Sequence, residues 1–428
     1  MLAAHSFSKV QVFSRQLPPE IWIVVLSYLI DDRMSLKVCA FVCRAWLSAT
    51  RPYLLETVRI HNLSTCTEID ASIDTFPDIA RYVREPHVGP IEWTDSLSRE
   101  EYIRDVWSCC LRLLGKLKGI RKLSIDLNSE RVDLAPEDIQ GQLPALLEGV
   151  ETLVLKDIAC LGGLAALKCI LLACSRLSHL YFHQIHFADE VAPYHRYDAT
   201  ANHKEALRTL VWTGWAEYYP SAELLSWLRH GGMNFSPSRL GFKGMTEGTW
   251  DLVHAAGDSL EYLSVDLEYS TSRPPTAPAF ACNTRLASID IIRFNPHAHG
   301  AEGMLSVLSN IGATNTSMRQ LGLSVVGSAL TRMSSDASIW REVDSHLARL
   351  ARSLPALVVT LYFYYCYYVD DHSGKIIELV DNLTLFREAR GRLSVCWSAT
   401  REQYLHAKAV DLKLMCLPDV DPGLLGSL

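Results

Sequence analysis

The sequence predicts an α/β solenoid, in which short strands alternate with helices along a stacked array, preceded by a three-helix unit. Three observations predict it. From residue 115 onward a phrase of the form apolar-x-x-apolar-x-apolar returns about every 30 residues. Between its copies, apolar residues recur at helical spacing. The first sixty residues follow a different pattern, with three short helical stretches rich in apolar side chains. A chain of 428 residues has room for such an array.

The N-terminal stretch from Leu17 to Leu29 reads LPPEIWIVVLSYL. Pro18 and Pro19 suit a helix entry, where the missing N–H costs nothing, and Glu20 complements the dipole of the first turn. Ile21, Val25 and Leu29 recur every four residues as one apolar stripe. Asp31 and Asp32 interrupt the helix and can cap the next, which continues through Leu36, Cys39, Ala40 and Cys43. Trp46 and Leu47 fall on a third segment. Three short helices cannot bury this much apolar surface by themselves, so the rest of the chain or a partner must cover the excess.

These residues resemble the F-box, whose pattern opens with Leu-Pro-x-Glu-Ile, carries a leucine after an acidic turn, and ends in Val-Cys-basic-x-Trp. Here the matching residues are Leu17, Pro18, Glu20 and Ile21, then Leu29, Asp32 and Leu36, then Val42, Cys43, Arg44 and Trp46. The resemblance covers Gln16 to Ile60, about a tenth of the chain. It implies docking on a Skp-type adaptor and, through it, on a cullin–RING ubiquitin ligase. Leu17, Pro18, Ile21, Val25, Leu29 and Val42 are the expected adaptor-binding residues, with Trp46 and Leu36 better suited to packing inward.

In the array, the second apolar anchors fall at Leu123, Leu153, Leu180, Leu210, Leu240, Leu263, Ile289, Leu321, Leu361 and Leu393. Intervals near 30 residues with alternating inward side chains look like leucine-rich-repeat architecture, too irregular for a strict consensus. Asp336 to Leu354 is the clearest intervening helix, with Ile339, Trp340, Val343, Leu347, Leu350 and Leu354 on one face. Ile376, Ile377, Val380 and Leu383 suggest a shorter helix, and Leu161 to Cys174 a helix buried nearly all round. The expected division is a flexible N-terminus (1–15), the F-box (16–60), a linking or capping repeat (61–115), the solenoid (116–417) and a tail (418–428). Thr57 to Ile60 leads into 61–115 as a strand, and within it Phe76 to Val83 and Ser98 to Leu114 read as helical. Ser270 to Ala279, with three prolines, reads as an insertion between repeats.

Residues between the anchors should point away from the core and line the array's open wall. Asp126, Lys156, His183, Thr213, Lys243, Asp266 and Arg293 are the expected substrate-binding positions, a chemically mixed set that suits a protein partner. A net charge of -7 argues against nucleic acid as the main partner. Twelve scattered cysteines without a Cys-x-x-Cys pair read as reduced thiols. The first sixteen residues hold no apolar run of signal-peptide length, and later apolar stretches are too short to span a bilayer, so a soluble cytoplasmic or nuclear protein is expected.

Enzyme signatures are absent: no Gly-x-Ser-x-Gly elbow, no phosphate-binding loop, no kinase motifs and no His-Glu-x-x-His helix. His179, His183 and His186 form the most metal-like cluster, but spacings of four and three on a strand do not hold all three on one face. His297 and His299 flank Pro296 and lack further ligands nearby; Asp370 and Asp371 read as a turn. The aromatic run Tyr362, Phe363, Tyr364, Tyr365, Tyr367 and Tyr368 suits either an exposed binding strand or, better, a strand buried at the array end. Expected from all this is a non-catalytic substrate receptor of a Skp–cullin–F-box ligase, without cofactor or metal. The alternative is a scaffolding solenoid whose F-box-like motif does not engage the ligase.

Overall fold

The computed structural model describes residues 19–30, 32–92, 98–132, 134, 140–160, 163–187, 205–213, 222–230, 233–243, 246–267, 280–294, 300–312, 314–326, 337–364 and 372–397. Three helices open it: α1 (Pro19–Ser27), α2 (Arg33–Ala40) and α3 (Arg44–Glu56). The strands are β1 (Thr57–Ile60), β2 (Glu85–Val88), β3 (Lys122–Val132), β4 (Thr152–Cys160), β5 (His179–Phe187), β6 (Ala206–Thr213), β7 (Asn234–Lys243), β8 (Tyr262–Asp266), β9 (Ser288–Phe294), β10 (Gln320–Val326), β11 (Val358–Tyr364) and β12 (Arg392–Trp397). Between them run α4 (Leu63–Thr75), α5 (Arg99–Lys116), α6 (Leu143–Leu147), α7 (Gly163–Ala173), α8 (Ala222–His230), α9 (Glu247–Ala256), α10 (Gly300–Asn310), α11 (Ala337–Ser353), α12 (His372–Asn382) and α13 (Thr384–Glu388).

All twelve strands form one sheet in sequence order, and each pairs with the next in parallel. Sequential parallel pairing, with helices between most strands, gives a solenoid-like arrangement in which each unit rests on its neighbour. One face of the sheet carries the anchors. Leu123, Leu153, Leu180, Leu210, Leu240, Leu263, Ile289 and Leu321 occupy a single rung across eight strands. All are buried, in one hydrophobic cluster with the inward faces of the helices. Helix α7 is buried nearly all round, and Trp340, Val343, Leu347 and Leu350 of α11 are sealed in the same core.

The sequence reading is corrected at the far end. Val359, not Leu361, takes the anchor rung on β11, opposite Leu321 and Leu393; Leu361 lies two residues further on. Both are apolar and share a face, so alternation alone could not choose between them. On α12 the inward residues are Leu379 and Val380, with Leu383 just past its end also buried, whereas Ile377 is 61% exposed. At the near end, β2 adds a strand that the sequence did not reveal: Glu85–Val88 alternates, but over only four residues and with Pro86 among them. Strands β1 and β2 carry the sheet without a break through residues 61–115.

The repeat is also written in the backbone. Just before the strands, one carbonyl receives two consecutive N–H groups from the next unit. Arg84 O accepts from Arg121 and Lys122, Arg121 O from Glu151 and Thr152, Glu151 O from Ser178 and His179, and Ser178 O from Arg208 and Thr209. The pattern returns at Glu261 and Ala287. Two buried asparagines join units through their side chains: Asn283 Nδ2 donates to Val253 O (3.0 Å) and Gly257 O (2.9 Å), and Asn315 Nδ2 donates to Phe280 O (3.0 Å) and Asn283 O (3.1 Å). Each satisfies carbonyls that a helix end or turn leaves open. Gly89, at φ 94°, sits where a Cβ would lie 1.8 Å from Asp126 O, so only glycine fits where the chain leaves β2 beside β3.

Candidate functional site

The N-terminal helices have a small core of their own. Leu26 and Leu36 are fully buried, yet neither belongs to the array's core cluster. The rings of Trp22 and Trp46 meet with centroids 4.7 Å apart, tilted by 55°. Asp32 caps α2: its Oδ1 accepts from Ser35 N at 3.0 Å and its Oδ2 from Ser35 Oγ at 2.5 Å. Those bonds hold its carboxyl below the usual carboxylate range. Helix α3 ends at Glu56 and β1 begins at Thr57, with no spacer. Arg33 Nη2 locks the junction, donating to Leu54 O (3.0 Å) and Thr57 O (3.3 Å).

What this core leaves outside is apolar. Of the fifteen large hydrophobic residues exposed among the described residues, eleven lie between Ile21 and Leu47. Ile21 (45%) and Val25 (41%) stand out from α1, and Leu29 is half-buried. Met34, Val38 and Phe41, spaced by four and three, form a stripe along the outer side of α2 that ends in Phe41 at 90% exposure. Val42 lies beside it, exposed. The array does not cover this surface. An apolar area of this density marks a contact site. Of the expected adaptor-binding residues, Ile21, Val25 and Val42 are exposed here and Leu29 partly so; Leu17 and Pro18 lie outside the described residues. Met34, Val38 and Phe41 were missed, although their spacing is visible in the sequence. Spacing finds a stripe but does not say which of two stripes on a short helix turns outward.

Residues 14–61 match the F-box-like family model. The F-box-like domain thus spans α1 to β1 and includes the whole exposed apolar surface. F-box-like domains typically bind Skp-type adaptors. None of the curated proteins matches this chain.

The second face is the side of the sheet opposite the anchors. Asp126, Lys156, His183 and Thr213 lie side by side on one rung of β3 to β6, and Lys243 is level with Asp266 across β7 and β8. Asp266 is level with Ile292, so Arg293 stands one residue beyond, where the β9–β10 register slips; its side chain lies outside the described residues. Lys156 Nζ lies 3.1 Å from Asp126 Oδ2 and 3.6 Å from Asp157 Oδ2. His183 Nδ1 is hydrogen-bonded to Thr213 Oγ1 at 2.7 Å, and four residues earlier on the same strands His179 Nδ1 meets Thr209 Oγ1 at 3.0 Å. Burial, with Lys156 and Lys243 adding, pushes His183 down to about 4. Burial, with Arg208 and Arg239 adding, lowers His179. Both rings are therefore neutral at pH 7.

Asp157 (φ 49°) and Gln184 (φ 52°) directly follow this rung on adjacent strands, and both are in the left-handed region that disfavours a side chain. Beyond them β4 and β5 resume their pairing through Ile158 and Ile185. His186 is lowered by burial. No group of three His, Cys, Asp or Glu residues among the described residues is placed to hold a metal ion. Nor is any helix among them long and apolar enough to cross a membrane. Phe363 is buried in the core and Tyr362 is buried on the opposite face of β11; Tyr365, Tyr367, Tyr368, His297, His299, Asp370 and Asp371 lie outside the described residues.

Proposed function

We propose that this chain is the substrate-recognition subunit of a Skp–cullin–F-box type ubiquitin ligase, working in the cytoplasm or nucleus. The F-box-like domain binds a Skp-type adaptor and, through it, the cullin–RING ligase, and the array binds a protein substrate. The chain itself is a non-catalytic receptor, with neither nucleic acid nor membrane as its partner. The observation that carries this reading is the apolar surface of α1 and α2, which the chain's own array leaves exposed. Permanent interfaces need such a surface, and 11 exposed hydrophobics within Ile21–Leu47 supply it. The array reads as an irregular leucine-rich-repeat-like solenoid: consecutive parallel strands in one sheet, with Asn283 and Asn315 bonding backbone carbonyls between units, support that reading.

Co-expression with a Skp-type adaptor tests it. The adaptor is expected to co-purify with the native chain and to be lost from the Ile21→Asp, Leu29→Asp double variant, while the array's thermal transition persists. A native chain that folds but retains no adaptor overturns the ligase reading and leaves a scaffolding solenoid.

A further inference from the structure

At its far end the array's core is left open. On the anchor rung every residue from Leu123 on β3 to Val359 on β11 is exposed by no more than 1%, whereas Leu393 of β12 is only half-buried. The next core-facing rung repeats the contrast. Val265, Ile291, Leu323 and Leu361 are sealed, yet Val395, level with Leu361, is 44% exposed. Ile377 of α12 and Leu385 of α13 are exposed in the same final unit. Of the large hydrophobics exposed among the described residues and outside the F-box-like domain, only Phe76 lies elsewhere.

Strand β12 is also an edge. It pairs with β11 and comes last in the sheet's order, so among the described residues no strand meets the N–H and C=O groups along its other side. An apolar edge of this kind pairs readily with any extended chain that reaches it, and native proteins charge such edges or cover them. Arg392, at its start, is the one charged residue in β12. The edge is therefore one that the fold must cover.

The segment that follows has the chemistry to do so. Residues 398–428 lie outside the described residues. Within them Ala409, Leu412 and Leu414 carry the array's apolar-x-x-apolar-x-apolar phrase once more. Val410, Leu412, Leu414 and Cys416 alternate with Asp411, Lys413 and Met415, which is the period of a strand with one apolar side. Twelve residues, 398–409, separate this stretch from Trp397, the last residue of β12. A parallel crossover needs about a dozen. We propose that Val410–Cys416 adds in parallel to the open edge of β12 as a further strand, with Leu412 and Leu414 on the core side beside Leu393 and Val395. The segment then buries the apolar residues that β12 leaves exposed and gives the edge's backbone groups their partners. Tethering favours it over a second copy of the chain, because a short connection holds it beside the edge at high effective concentration. This inference stands apart from the ligase reading.

Hydrogen exchange of the full chain, read by mass spectrometry, tests it. Amides of 411–416 are expected to exchange at least about tenfold more slowly than those of a free peptide of the same sequence. Leu412→Asp with Leu414→Asp sets two carboxylates against the apolar side. That variant is expected to abolish the protection and to speed exchange in β12, while β4 to β8 stay unchanged. Val395→Asp, the reciprocal change on β12, is expected to release 411–416 as well, and Lys413→Ala, on the opposite side of the segment, to leave it protected. Exchange of 411–416 at the free-peptide rate in the native chain overturns the proposal, as does protection that survives the double variant. Loss of protection in 411–416 with β12 unchanged places the segment elsewhere and overturns it too. Protection that disappears on dilution assigns the edge to a second copy, with the same consequence.

Discussion

Phe41 offers the sharpest test of the docking face, because its exposure separates binding from folding. Its ring is 90% exposed at the end of α2, in line with Val38 and Met34. Burying a phenylalanine side chain fully is worth about 1.5–3 kcal/mol, so nearly all of that is available to a partner and almost none is spent on the fold. Phe41→Ala keeps Cβ and loses the ring, a cost of about 2 kcal/mol in association, or roughly thirtyfold in Kd. The same change should shift unfolding by no more than about 0.5 kcal/mol, as for exposed positions generally. Titration calorimetry against a Skp-type adaptor, with a urea melt alongside, reads both numbers. If affinity changes less than threefold while Ile21→Asp still abolishes capture, the α2 stripe is outside the interface and the reasoning from exposure fails at α2.

Three further predictions concern the fold that presents these faces. Leu36→Ala empties the small core of the F-box-like domain and should cost about 2–5 kcal/mol there; hydrogen exchange should accelerate in 19–56 and stay unchanged in β4 to β10, whose core does not include Leu36. Asp344 is buried on α11, and its carboxylate accepts from Leu385 N (2.9 Å) and Phe386 N (2.8 Å) at the start of α13. Asp344→Ala leaves those amides unmet and should cost about 1–3 kcal/mol, seen as lost amide protection at α13 and β12; unchanged protection there would refute the cap. His183 and His87 are both held down to about 4, chiefly by burial, with Lys122 and Arg59 adding at His87. An unfolded histidine protonates near pH 6.5, so below that pH the unfolded chain takes up protons the folded chain refuses. Stability from these rings is complete above about 6.5 and falls as pH drops toward 4. The urea midpoint should decline over that window, less steeply in a His87→Gln, His183→Gln double variant; parallel slopes would refute the assignment.

Much of the array was legible because one physical rule repeats along it. Each strand must place an apolar residue on the helix-covered side at every second position, and nine of the ten anchors read from the sequence, Leu123 through Leu321 and Leu393, share one rung. The rule also located the opposite face, and this is why Asp126, Lys156, His183 and Thr213 line up. It failed where its signal degenerates. Strand β2 alternates, but over only four residues and with a proline as one of its apolar positions, so it does not stand out, and β11 offers two apolar residues of the same parity. At Ile292 and Arg293 the register slips, which no count of residues reveals. The left-handed residues Asp157 and Gln184 carry no sequence mark either, since neither is glycine. In the N-terminal helices, composition told that apolar surface would be left over, and Leu36 was expected inside, but only packing told that Leu26 joins it while Val38 and Phe41 stay out.

The junction between the two faces bears on how the proposed receptor would work. Helix α3 becomes β1 within one residue, and Arg33 spans that point by bonding carbonyls on both sides of it. The small core of the F-box-like domain is separate from the array's core, yet the backbone between them has no slack. In the receptor proposed above, a junction of this kind would fix the substrate's distance and direction from whatever the adaptor holds, where a loose linker would let it find many positions. On that proposal Arg33 acts as a positioning residue. Its replacement should leave both faces intact and loosen only the angle between them, since each face draws its stability from its own core and the guanidinium contributes two bonds at the hinge alone.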